Sequence, residues 1–197
     1  MSAGRTNISK NKSWNTPPKY ISLITEFFGE IELDPCSNEN SLVNAKFNYI
    51  LPTNGLKESW DFKTIFVNPP YGRIDRTSIF DWVLKGLEAN KVYNSEIIYL
   101  IPVATNTKHF KDLIFKKACG VCFLNDTRLK FWCDGVEDKK GAPMSCSLVY
   151  IGNNYDKFEK TFSDSGKCFQ IFKEYKSGFI VADVKEINSQ NPHLDQH

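Results

Sequence analysis

The chain has 197 residues, 41% of them hydrophobic and 24% charged, with a formal net charge of +2. That size and balance fit a single soluble globular domain, and the small net charge creates no whole-molecule field that would demand a nucleic-acid or membrane partner. No apolar run approaches the roughly 18 residues of a membrane span, and "MSAGRTNISKNKSW" lacks the apolar core of a signal peptide. The expectation is a cytosolic chain whose six cysteines are reduced thiols.

Residues 1–13 are polar and rich in Asn, Ser and Lys, and read as a flexible N-terminal segment. "WNTPPKYISLITEFFG" predicts a helix with Thr16 as N-cap, Pro17 at the first helical position and Gly29 as its stop. "EIELDP" predicts a strand with Asp34-Pro35 at its carboxyl end. The Asn- and Ser-rich stretch after it predicts a short helix around Ser41–Phe47, then a turn at Asn54-Gly55. "TIFVN" reads as a second strand, "DRTSIFDWVLKGLEANK" as a helix, and "SEIIYLIPVA" as a central strand. "TKHFKDLIFKKACG" has the spacing of an amphipathic helix, with His109 on its lysine-bearing surface. "VCFLND", "RLKFWC" and "SCSLVYIG" read as three successive β segments, "GFIVADV" as one more strand, and the last residues as a polar tail. The pattern predicts an α/β fold in one domain over 14–183, mostly parallel, with an antiparallel pair near the C-terminal end and a tail at 184–197.

In an open α/β sheet, ligands bind beyond the carboxyl ends of the strands. Two such ends carry chemistry here, Asp34-Pro35 and Asn68-Pro69-Pro70-Tyr71. Two prolines stop the strand and hold Asn68 and the Pro69 carbonyl in one stiff geometry. A nucleobase amino group is a poor nucleophile because its lone pair is delocalised into the ring. The Asn68 side-chain oxygen and the Pro69 carbonyl can accept its two hydrogens and favour a pyramidal nitrogen. Tyr71 can stack on the base. Orientation and electrostatics would supply most of the rate.

"NPPY" is also the catalytic motif of amino-group methyltransferases that use S-adenosylmethionine. The wider pattern "WNTP…ELDPCS…NGLKESW…FVNPPYG…RLKFW…GAPMSCSLVYIG" resembles the small phage-type Dam-like DNA adenine methyltransferases, from Trp14 to about Gly152. The resemblance implies a Rossmann-like methyltransferase sheet, S-adenosylmethionine as cofactor and double-stranded DNA as partner, in a bacterial or phage-infected cell. It implies that Trp14, Asn15, Thr16 and Pro17 line the methyl-donor site together with Asp34, Pro35 and Cys36, and that Asn68 borders it. It also implies that Asn68, Pro69, Pro70 and Tyr71 grip the target adenine. The chain departs from larger methyltransferases in having no glycine in "DPCSNENS", which leaves Asn38 or the Thr16 loop to hold the donor's amino acid end. "NGL" stands where an aspartate is expected before Gly-Leu, and Asp61 is the remaining acid for the donor's adenine end.

The basic residues Arg73, Arg76, Arg128 and Lys130, with Lys108, are candidates for phosphate contact, and loop 133–145 for base readout. Their plain alternative is a solvated surface. No metal is expected. Cys119 and Cys122 make one C-x-x-C, whereas a structural zinc site takes four ligands, usually as two close pairs. Two other functions are consistent with the motif: methylation of a cytosine or protein glutamine amide nitrogen, and DNA binding without turnover.

Overall fold

The computed structural model describes residues 14–73, 76–133 and 135–171. The expected segment 1–13, the strand at 178–184 and the tail lie outside the described residues. In chain order, helix α1 (Pro18–Phe28) precedes strands β1 (Leu33–Ser37), β2 (Phe47–Ile50) and β3 (Thr64–Val67). Helix α2 (Ile79–Tyr93) leads to β4 (Glu96–Pro102), and a π-helical stretch (His109–Ile114) runs into a single α-turn, α3 (Phe115–Lys117). Strands β5 (Gly120–Leu124), β6 (Trp132–Cys133), β7 (Val136–Glu137) and β8 (Cys146–Ile151) follow, then α4 (Tyr155–Phe162) and β9 (Gly166–Gln170).

The main sheet has the order β2-β1-β3-β4-β8-β5-β9, and β6-β7 form a separate hairpin. Strands β1 to β4 run parallel. Strand β8 enters between β4 and β5, antiparallel to both, and β9 pairs antiparallel with β5. Strands β1 to β5 therefore share one direction, and the antiparallel members come late in the chain, as expected. The sheet is covered on both faces. Ile98 and Leu100 of β4 meet Tyr20, Ile24 and Phe27 of α1 and Phe158 and Phe162 of α4. Ile97, Tyr99 and Ile101 point the other way, onto Trp82 and Val83 of α2 and Phe110 of the π-helical stretch. A strand buried on both faces has no position for a polar residue, which is why β4 reads as one apolar run.

Several expectations are corrected. Asp34 and Pro35 lie inside β1 rather than at its carboxyl end, since the strand runs on to Ser37; Pro35 falls where the register with β2 shifts, between Asp34 and Ser37, so its missing donor costs little. The helix around Ser41–Phe47 does not form. Asn38 and Ser41 side chains there accept from the backbone N–H of Asn40 and Val43, at 2.9 and 3.2 Å, an alternative to helical bonds. Lys46 and Phe47 donate instead to the Ile31 and Glu32 carbonyls and lead the chain into β2.

Helix α1 begins at Pro18 with Pro17 at the N-cap and no side-chain cap, so Thr16 is not the capping residue; Gly29, at φ 82°, stops the helix as predicted. The segment "RLKFWC" contributes only β6, because the N-terminal chain occupies its edge: Asn15 and Trp132 exchange backbone hydrogen bonds at 2.8 and 2.9 Å. His109 is buried, not on the surface. The wider π turn shifts the helical phase and turns it inward, where its Nε2 lies 3.1 Å from the Thr107 hydroxyl. Burial lowers its pKa and keeps the ring neutral.

Candidate active site

Because β1, β3 and β4 are parallel, their carboxyl ends meet at one edge of the sheet. Asn68 follows β3 directly. Its side-chain amide donates to the Trp14 carbonyl at 3.3 Å and to the Thr16 hydroxyl at 3.2 Å. A carbonyl can only accept, so the Trp14 contact fixes which end of the amide faces the protein. Oδ1 is turned the other way and accepts no hydrogen bond from the described residues. The Thr16 hydroxyl accepts from Asn68, so its own hydrogen remains for another partner.

Two residues on, the Tyr71 ring is half-buried, and its hydroxyl donates to the Leu100 carbonyl of β4 at 3.3 Å. The Cys146 thiol of β8 lies 4.0 Å from the same hydroxyl. Burial, with the neighbouring Cys146, holds the Tyr71 hydroxyl far above its ordinary pKa, and burial pushes the Cys146 thiol up to about 11. Both stay neutral at physiological pH. Phe131 packs edge-on against Tyr71 at 5.8 Å and against Trp14 at 6.2 Å. It is 4% exposed, whereas Trp14 is 37% exposed.

The segment Trp14–Thr16 ties this corner to the rest of the site. Asn15 is 4% exposed with both ends of its amide in use. It donates to the Asn40 carbonyl at 2.8 Å and accepts from the Asn38 amide at 2.8 Å. With its backbone paired to Trp132, Asn15 joins the loop after β1 to the β6 hairpin. Asn38 thus spends one amide hydrogen on Asn15 and its oxygen on the Asn40 N–H, and keeps a second amide hydrogen beside the free hydroxyl hydrogen of Thr16.

Within β1, Asp34 is 4% exposed. Burial raises its carboxyl from the usual 3.8 to about 6, against the pull of hydrogen bonds from Cys36, Ser37 and Ser41. The Cys36 backbone N–H donates to it at 3.2 Å. No cation among the described residues pairs with it. The Cys36 thiol is raised well above its ordinary pKa by burial and the Asp34 charge, with the nearby Asn68 backbone N–H offsetting part of the rise. Gly55 lies against Pro35, whose carbonyl oxygen would stand 1.8 Å from any Cβ there, and the Trp60 indole N–H anchors the Gly55 carbonyl at 2.8 Å.

The structure thus brings together Trp14, Thr16, Asp34, Pro35, Cys36, Asn68, Pro69, Pro70 and Tyr71, with Pro17 leading into α1. Asp61 is exposed and precedes β3, at the opposite end of that strand from Asn68. Arg73, Arg76, Arg128 and Lys108 are exposed; Lys130 pairs with Glu137 of β7 at 3.3 Å. Sequence reasoning did not single out Phe131 or Cys146. Both sit in quoted segments, "RLKFW" and "MSCSLVYIG": Phe131 directly precedes β6, and Cys146 opens β8, which pairs with β4.

A family model described as DNA N-6-adenine-methyltransferase (Dam) matches residues 4–173. The chain belongs to the Dam family. It is an enzyme of adenine-specific DNA methylation, and its sheet is that of a Rossmann-like methyltransferase. No curated protein and no solved structure matches the chain. Among the described residues no helix is long and apolar enough to cross a membrane, and no three His, Cys, Asp or Glu side chains gather as a metal site.

Proposed function

We propose that this Dam-family enzyme methylates N6 of an adenine turned out of double-stranded DNA into the Asn68–Tyr71 corner, with S-adenosylmethionine as donor. The observation that carries the proposal is the fixed orientation of Asn68, whose amide hydrogens are spent on Trp14 and Thr16 and whose Oδ1 is left open. Oδ1 accepts one N6 hydrogen and the Pro69 carbonyl accepts the other. Both acceptors favour a nitrogen whose lone pair has left the ring, so they bind the reacting geometry better than the ground state. Pro69 and Pro70 keep the acceptors from relaxing, and Tyr71 offers its face to the base.

The donor fits the residues beside this corner. It carries positive charge, and Asp34 is a buried carboxylate that pairs with no cation among the described residues. Asp34, Pro35 and Cys36 would hold it from β1, and Thr16 would give its free hydroxyl hydrogen to the donor's carboxylate. S-adenosylmethionine supplies there a methyl carbon made electrophilic by a sulfonium. Asn68 and Pro69 need only present the nitrogen, whose excess proton is lost to water.

The test is transfer of labelled methyl groups to unmethylated duplex DNA, with identification of the modified base and Asn68→Ala alongside. Methyladenine from the wild type and none from the variant is the expected result. Methylcytosine, or label on protein instead of DNA, would overturn it.

A further inference from the structure

A groove of about 480 Å³ lies between Trp14, which holds the Asn68 amide, and the β6–β7 hairpin. Trp14 forms one wall and Val136, Glu137, Asp138, Lys139 and Lys140 the other. Trp14 belongs to both places: its carbonyl holds the catalytic amide, while its indole, 37% exposed, faces the groove. Phe131 buttresses that indole edge-on, and the Asn15–Trp132 bridge fixes the backbone beside it. An aromatic face that is exposed yet held from behind and along its backbone is a stacking platform.

The charges on the opposite wall are not equivalent. Glu137 is already paired with Lys130 at 3.3 Å, and Asp138 accepts from the backbone N–H of Lys140 at 3.3 Å. Lys139 and Lys140 carry no ion pair among the described residues. The groove therefore offers an apolar ring on one side and two unpaired ammonium groups on the other, which is the chemistry of a nucleotide. Trp14 joins it to Asn68, whose side-chain amide reaches the Trp14 carbonyl at 3.3 Å. An extruded base leaves its neighbours on the same strand close by.

We infer that this groove is a second nucleotide subsite, which takes a nucleotide adjacent to the target adenine, its base stacked on Trp14 and its phosphates against Lys139 and Lys140. The inference rests on the base-flipping reading above and adds a place where flanking sequence is sensed.

The experiment uses a duplex that the wild-type enzyme methylates and two copies of it, with an abasic residue 5′ or 3′ of the target. One of the two copies is expected to lose about 5- to 150-fold in kcat/KM, the range of one base–aromatic stack. Trp14→Leu is expected to erase that difference between substrates and Trp14→Phe to restore it. A merely structural tryptophan would lower all three substrates equally and keep their ratio, which would overturn the inference. Equal wild-type rates on all three duplexes would overturn it too, while leaving base flipping intact. If the wild type methylates no duplex, the flipping reading fails and the subsite with it. The pair Lys139→Ala/Lys140→Ala, which leaves the corner untouched, should raise KM at constant kcat and reduce the salt slope of DNA binding by about 2. An unchanged slope would remove the phosphate role.

Discussion

The Asn68 corner and the β6–β7 hairpin are neighbours, but they are built in opposite ways. The corner stands on strands buried on both faces, and Asn68 and Tyr71 are each tied to another part of the chain. The hairpin has two residues per strand, and Val136 and Glu137 are exposed. It is held by backbone bonds from Asp138 to Phe131, from Ala142 to Leu129 and by the Asn15–Trp132 exchange. On the proposed reading, chemistry that depends on sub-ångström placement would sit where the sheet over-determines the geometry, and contact with variable DNA on the less buried hairpin. Asn15 bonds to both the loop after β1 and the hairpin.

The sharpest way to break the contrast is Asn68→Ala. Loss of an acceptor used only in the transition state should cut kcat by about 10²–10³-fold while DNA affinity stays within a few-fold. Equal losses in kcat and DNA binding, from single-turnover rates and a binding titration, would mean that the corner acts as a docking site.

Next is Asn15→Leu, which strands the Asn38 amide and the Asn40 carbonyl and should cost about 1–3 kcal/mol of stability. Because Asn15 spans both regions, kcat and flanking-base sensitivity should fall together. A loss in stability alone, read by denaturant melts beside activity, would uncouple them.

Asp34 sharpens the contrast through pH. Its folded carboxyl, near 6, lies above its unfolded value of 3.8. Stability without donor is therefore highest below the unfolded value and is lost as pH rises towards 6. Donor binding has the opposite sign, since the ionised form attracts the cation. Affinity should be level above about pH 6 and fall about tenfold per unit below it, and Asp34→Asn should abolish the slope. A titration showing flat affinity in the wild type would sink the role given to Asp34.

The smallest effect is expected of Lys130→Ala. Its exposed pair with Glu137 should contribute under about 1 kcal/mol, visible as a slight shift in melting temperature. A larger loss would show the hairpin to be as firmly built as the corner.

Much of this was legible in the sequence, and what was legible had physical redundancy. Strand β4 announced itself because seven residues had to be apolar or nearly so, and α1 and α2 because one face of each had to be. The Asn68 corner was legible because two prolines after a buried strand leave few alternatives. Strand β2 was not, since its residues are exposed or half-buried and it is an edge strand paired only with β1. Helix α4 buries only Phe158 and Phe162, too few to set a period. Thr16 was misread as a cap because a threonine before a proline-led helix looks the same whether its hydroxyl serves the helix or a distant asparagine.

The insertion of β8 between β4 and β5 has a consequence for synthesis. Strand β4 is complete at residue 102 and β5 at 124, yet the strand that joins them ends only at 151. Until the ribosome releases that segment, β4 has an unpaired inner edge and the parallel half of the sheet is open at its middle. Closing it is a long-range contact, a slow class of folding event. The nascent chain is thus exposed to edge-to-edge aggregation until its last quarter is made, and a messenger truncated before codon 146 should yield insoluble product.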